Sequence, residues 1–452
     1  MIFTAPRFVV VDDKIEHLEA IVQAFQQLGS PCIGIQYKPE EELDANIFRG
    51  VRVLFLDLHL IDSSVKTDDR PHYAVIAGIL EDKIHVNGGP FVLVLWTEHA
   101  HCAQGLTEYL DMGLDKKKPH SRPLVVVPLS KDNLINKDDK VTDPEELRRK
   151  VREAVTANAQ LAALLDWETD VMTAAGDTLV ALLNLVPTEN RTNTSYSDAL
   201  DVILSRLACE AVGKPHVEVN QRAAITTALA PILIDRMMNQ EISKETLDLW
   251  SKAITRHSGK KLEDASPEEA GHLNKMLHLA IPGSETVRPA DWGAVVRWPY
   301  EWNDDELLCR MGFKIPDMLG GQFLIERKDR ARCKPHLVRI GAACDYAQNK
   351  EGPITYLLAM EIPEDAERKK NRKTGDDLEL SDAIWRSPVF ITTDSAESFR
   401  LYVHIRFPIS VLPSMTDGWF ASYRMREQLL MNLLTFSSNY SSRPGIVQLP
   451  IK

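Results

Sequence analysis

Four apolar runs in the first 131 positions each give way to a polar side chain, and this pattern restricts the folds open to the segment. Phe8-Val9-Val10-Val11 leads into Asp12 and Asp13, and Val53-Leu54-Phe55-Leu56 into Asp57. Phe91-Val92-Leu93-Val94-Leu95-Trp96 ends at Thr97, and Val125-Val126-Val127-Pro128 stands three positions before Lys131. Continuous apolar runs of this kind suit strands buried on both faces, as in a parallel sheet covered by helices. The carboxyl ends of such strands open into one crevice, where residues far apart in sequence meet. Three carboxylates, a hydroxyl and an ammonium gathered there make a small site for a cation and a phosphate.

The segments between the runs read as the covering helices. Leu18, Ile21, Val22, Phe25 and Leu28 follow helical spacing, and Gly29 supplies a stop. A strand at 32–37, a short helix at 40–48, a strand at 51–57, a helix at 72–84, a less regular 101–114 and a strand at 124–128 continue the alternation. The last helix begins near Pro144 and runs through Leu147, Val151, Val155 and Leu161. Five β-α steps predict a doubly wound α/β fold over residues 1–165, a five-stranded parallel sheet with right-handed crossovers.

The polar residues in this order, together with Leu56-Asp57-Leu58-His59-Leu60, resemble the receiver domain of two-component response regulators over roughly the first third of the chain. The resemblance implies that Asp57 is the phosphoacceptor. It also implies that Asp12 and Asp13 are the acidic pair that holds magnesium with Asp57, that Thr97 is the switch hydroxyl, and that Lys131 contacts the phosphoryl group. A partner histidine kinase would be the donor. The chain departs from the family in several places. There are 40 positions from Asp57 to Thr97 and 34 from Thr97 to Lys131, which implies insertions near 63–70 and 115–122. Asp132 follows Lys131 where the family has proline, and Pro128 stands where an aromatic switch residue is expected.

The chemistry favours the same grouping. Crowded carboxylates raise one another's pKa unless a cation neutralises them. Magnesium takes oxygen ligands and bridges carboxylates to phosphate. Phosphoryl transfer needs chiefly positioning and charge stabilisation, which magnesium and Lys131 would supply.

At 452 residues the chain exceeds one ordinary core. From 166 to 280 strand signals vanish. Helices are predicted at 168–186, 196–212, 218–240, 243–257 and 267–280, with breaks at Pro187, Gly213-Lys214-Pro215 and Ser258-Gly259. This reads as a helical bundle or linker domain, a possible route to a homodimer. Residues 281–452 turn rich in tryptophan and proline around Trp292, Trp298, Pro299 and Trp302. Strands are then predicted at 322–325, 337–343, 354–362, 389–393 and 399–408, and a helix at 421–436. An α+β domain with a mainly antiparallel sheet, for interaction or output, is expected there.

A net charge of −12 disfavours general attraction to nucleic acid or anionic membrane. No apolar stretch reaches membrane-spanning length and no secretion signal opens the chain, so a cytoplasmic location is expected. The six cysteines lack a CxxC pair and read as reduced thiols. Cys344-Asp345-Tyr346 is the most distinctive phrase of the last section: a nucleophile if His336 or His404 approaches, otherwise a thiol before a polar turn. Cys309, Cys333, His336 and Cys344 are zinc-ligand types, yet their spacing fits no paired zinc pattern. Basic runs at 327–334 and 368–373 could touch phosphates, but the second is flanked by acids and neither accompanies a nucleic-acid-binding signature. Walker, GxSxG, HExxH and GxGxxG motifs are missing.

The reading expected is therefore a response-regulator-like phosphoacceptor in a magnesium-dependent phosphorelay. In domain arrangement it also resembles the phosphate-buffering component of Detocs-type anti-phage systems. The competing expectations are a receiver-gated nuclease or other toxic effector and an unphosphorylated pseudo-receiver scaffold.

Overall fold

The computed structural model describes residues 6–61, 69–86, 88–132, 134–138, 140–256, 262–283, 285–348, 350–371, 373–392 and 395–443. The chain divides into two compact units, Met1–Asn184 with Pro231–Leu262, and Leu185–Ala230 with Glu263–Lys452. Among the described residues, no helix is long and apolar enough to cross a membrane. The expected insertion at 63–70 and the break at Ser258-Gly259 fall largely outside the described residues.

Unit 1 opens with β1 (Phe8–Asp12), α1 (Ile15–Gln27), β2 (Cys32–Gln36), β3 (Val53–Leu56) and α2 (Arg70–Lys83). It continues with β4 (Val92–Thr97), α3 (Ala103–Gly113), β5 (Val126–Ser130), α4 (Pro144–Val155) and α5 (Ala159–Leu183). The five strands are all parallel in the order β2-β1-β3-β4-β5. The apolar runs are continuous because both faces are covered. Val9, Val11, Leu54, Leu56, Leu93 and Leu95 pack with α2 and α3, whereas Val10, Val53, Phe55, Val92, Val94 and Trp96 pack with α1 and α4. The chain leaves β1 for β2 on one side and returns to β3 on the other, so a topological switch point lies at the ends of β1 and β3.

Three local expectations shift. β5 lies two residues later than predicted, so Lys131 follows it directly. Its run does not stop at Pro128, because β5 is an edge strand, where a missing N–H is tolerated. The expected 40–48 helix shrinks to a 3-10 turn at Ala45–Phe48, started by the Asp44 side chain accepting from the Asn46 N–H. The helix expected to run from Pro144 through Leu161 breaks after α4, because Asn158 caps a new helix by accepting from the Leu161 N–H at 2.9 Å. That new helix, α5, carries on past residue 165.

The middle of the chain is α6 (Tyr196–Val212), α7 (Lys214–Val217), α8 (Gln221–Met238), α9 (Lys244–Ala253) and α10 (Pro267–His278). Trp250 on α9 donates its indole N–H to Asp166 on α5 at 2.9 Å, both within unit 1. In unit 2, Ala208, Val212 and Ala224 form a small separate core.

The rest of unit 2 comprises β6 (Leu279–Ala280), β7 (Ala294–Arg297), α11 (Asp304–Met311), α12 (Ile315–Asp317), β8 (Lys334–Ile340) and α13 (Ala343–Ala347). β9 (Ile354–Pro363), β10 (Ile384–Thr392), β11 (Ser395–Val411), β12 (Ala421–Met425) and α14 (Glu427–Ser441) follow. The strands form one antiparallel sheet, β10-β11-β9-β8-β7-β12-β6. The multidomain layout is thus a parallel α/β sheet, a helical middle and an antiparallel C-terminal sheet. Two predicted elements differ. Residues 322–325 are not a strand: a π-helical turn at Met318–Gln322 ends there, and Ile325 makes a lone bridge to Arg368. Residues 421–436 are not one helix, because Ala421, Tyr423 and Met425 are buried at every second position, the strand period, and the helix starts only at Glu427.

Candidate functional site

The ladder of unit 1 carries the five polar residues to one end of the sheet. Asp12 is the last residue of β1, and its carbonyl accepts the Tyr37 N–H at 2.8 Å. Asp57 follows β3 and donates its N–H to Val11 at 3.1 Å; Lys131 follows β5 and donates its N–H to Thr97 at 3.0 Å. Asp12 and Thr97 are fully buried, and Lys131 and Asp57 nearly so, while Asp13 remains accessible to solvent. One carboxylate oxygen from each of Asp12, Asp13 and Asp57 lies within 4.8 Å of the others.

Lys131 Nζ lies 2.8 Å from Asp12 Oδ2, 3.0 Å from Asp57 Oδ2 and 3.0 Å from His17 Nδ1. An ammonium only donates, so His17 presents a lone pair at Nδ1 and carries its proton on Nε2. Asp12 Oδ1 accepts the Lys14 N–H at 2.9 Å. Burial pushes the Asp12 carboxyl up to about 7; Lys131 opposes the rise and the Asp57 charge adds to it. One ammonium against three carboxylates leaves the pocket short of positive charge. Hard oxygen donors with one accessible member suit a divalent cation, so the residues present fit a metal ion. Thr97 Oγ1 accepts the His99 N–H at 3.2 Å, which leaves its hydroxyl hydrogen to donate.

Sequence reasoning missed the histidines. His17 sits on the apolar side of α1 beside Leu18 and Ile21, five positions after Asp12. A row of edge-to-face imidazoles adjoins the pocket: His59 to His72 at 4.5 Å, His59 to His99 at 4.9 Å and His99 to His101 at 5.9 Å between ring centres. Burial, then the neighbouring His72, holds His59 below the usual histidine range. The available signal was position, since His59 and His99 each stand two residues beyond a strand-end polar residue.

Among the described residues, the other metal-ligand candidates are not gathered together. Cys344 is exposed and its thiol faces its neighbour Asp345 at 3.5 Å, with Lys350 Nζ on the same carboxylate at 2.6 Å. His336 and His404 bond Ser422 and Gln322 respectively. Among the described residues, the carboxylates of Asp12, Asp13 and Asp57 are the one group of three or more potential ligands gathered closely enough for a metal, and Cys309, Cys333, His336 and Cys344 form no such group. In the first basic run Arg332 pairs with Asp329, Asp365 and Glu397, and Lys328 with Glu367, so these two cations are matched by acids. In the second run, Arg372 lies outside the described residues. No family model matches the chain, and no solved structure matches it either.

Proposed function

We propose that unit 1 is a receiver-like phosphoacceptor and that Asp57 takes a phosphoryl group from a partner histidine kinase. The observation that carries this reading is the meeting of Asp57 with Asp12, Asp13 and Lys131 at one end of a parallel sheet, where Thr97 also ends its strand. An Asp57 carboxylate oxygen attacks phosphorus, and the bond from phosphorus to the donor's histidine nitrogen breaks as that nitrogen recovers its electron pair. Lys131, shared between Asp12 and Asp57, follows the added charge to a phosphoryl oxygen, and the Thr97 hydroxyl donates to another. Asp12, Asp13 and Asp57 would hold magnesium, which when bound neutralises charge on the phosphoryl oxygens.

The joining of this unit to helices and a large antiparallel-sheet domain supports a narrower role as the phosphate-buffering component of a Detocs-type anti-phage system. The middle helices also favour a homodimer, since Trp167, Met172, Leu179 and Val180 on α5 are exposed. The test is incubation with a small acyl phosphate and magnesium, read by intact-mass spectrometry. A base-labile phosphoryl adduct is expected on the native chain and none on Asp57→Asn. An adduct that persists in Asp57→Asn, or a native chain that is never labelled by the acyl phosphate or by a kinase, overturns the reading.

A further inference from the structure

The tryptophan-rich stretch after β7 and the ends of β8, β9 and β12 surround a cavity of about 510 Å³ in unit 2, which the proposed phosphoryl chemistry leaves unused. Alternation along β9 puts Leu357, Ala359 and Glu361 on one face; the first two enter the core, and Glu361 lines the cavity. On β8, His336 likewise shares a face with buried Val338 and lines the cavity. Ser422 sits at a bulge, where pairing with β7 jumps from Ala421 to Tyr423, and bulges re-aim side chains in this way.

These groups, of which His336 and Glu361 are buried, form one network. His336 Nδ1 lies 3.1 Å from the Lys334 carbonyl, which can only accept, so Nδ1 carries hydrogen. Its Nε2 lies 3.3 Å from Ser422 Oγ and 3.6 Å from Glu361 Oε1. Tyr423 donates its hydroxyl to the same Glu361 oxygen at 2.9 Å. A polar cluster at the edge of an apolar sheet face is costly to bury unless its members satisfy one another, as these do.

The walls indicate which ligand. Trp298 meets Tyr300 and Trp302 edge to face, with ring centres 5.5 Å apart in both pairs, and all three line the cavity. Arg297 and Lys334, both exposed, add two positive charges at its rim. An aromatic wall takes a planar ring, Glu361 accepts from ring N–H groups or sugar hydroxyls, and the two cations take an anionic group. A cationic ligand would meet repulsion on entering. The volume falls in the range of small-molecule sites.

We propose that this cavity binds a nucleoside phosphate: its base lies against Trp298, Tyr300 and Trp302, its hydrogen-bonding edge meets Glu361 and Ser422, and its phosphate sits at Arg297 and Lys334. Isothermal calorimetry of the full chain with AMP, GMP, CMP and UMP, and with the matching nucleosides, tests it. At least one monophosphate binds below millimolar Kd, and its nucleoside binds at least tenfold more weakly. Glu361→Gln and the double change Arg297→Ala with Lys334→Ala each weaken binding at least tenfold while circular dichroism and melting stay as in the native chain. Asp57→Asn leaves binding intact. The proposal is overturned if no monophosphate binds at millimolar concentration, if both unit 2 variants bind like the native chain, or if Asp57→Asn abolishes binding, which would place the ligand in the acidic pocket.

Discussion

Lys131 has three hydrogens to donate and three acceptors around it, Asp12, Asp57 and His17, at 2.8–3.0 Å. The side chain therefore both offsets part of the acidic pocket's charge and fixes the His17 tautomer. Lys131→Met removes the buried cation and leaves two buried carboxylates facing each other, a change that typically costs about 3–5 kcal/mol. Urea unfolding followed by circular dichroism should show a loss of that order, partly restored by millimolar magnesium if the carboxylates bind it; no loss would mean that Lys131 does not hold the pocket together. At this scale the acidic residues were legible, because each ends an apolar run. The position of Lys131 was misjudged by two residues, since the reading closed β5 at Pro128 and not at Ser130. His17 was not legible at all: on a helix periodicity it counts merely as one more inward position.

Element boundaries follow from caps and close approaches that a hydrophobic pattern does not encode. Asn158 separates α4 from α5 with one side-chain hydrogen bond, so Asn158→Ala should cost about 1 kcal/mol in the same urea titration, whereas Asn158→Asp should cost little. Gly293, just before β7, has φ of +81°, and a Cβ there would lie 3.0 Å from the Met425 carbonyl oxygen and 2.9 Å from Leu430. Its N–H and carbonyl both pair, with Arg339 and Met425. Gly293→Ala therefore combines left-handed strain with overpacking, and a loss of about 3 kcal/mol is expected in thermal unfolding. The parallel sheet could be read from sequence because its three central strands are buried on both faces. β7 and β12 could not: β7 is four residues long, and the alternation of Ala421, Tyr423 and Met425 merges into the apolar spacing of α14. The cavity of unit 2 was invisible for the same reason, since its polar residues come from four separate strands, of which the reading missed two.

Two compact units with different chemistry should answer to different solution conditions. His404 is fully buried in unit 2, its ring 4.3 Å from that of Phe407 and bonded to Gln322 at 3.2 Å. Burial, with Arg406 adding to it, pushes it down to about 4 from an ordinary 6.5. Its pKa is depressed, so the unfolded chain takes up a proton before the folded one does. The stability His404 supports is therefore complete above pH 6.5 and is lost as pH falls from 6.5 toward 4. Between pH 7 and pH 5 the loss is about 2 kcal/mol by proton linkage. Magnesium, if held by Asp12, Asp13 and Asp57, binds only folded unit 1 and raises only its transition. Scanning calorimetry should then resolve a transition raised by magnesium at constant pH and another lowered by several degrees from pH 7 to pH 5. His404→Asn should flatten the acid dependence of the second and leave the magnesium response of the first unchanged. A single transition moved equally by both would show that the units unfold as one, and an acid response untouched by His404→Asn would assign it to another group.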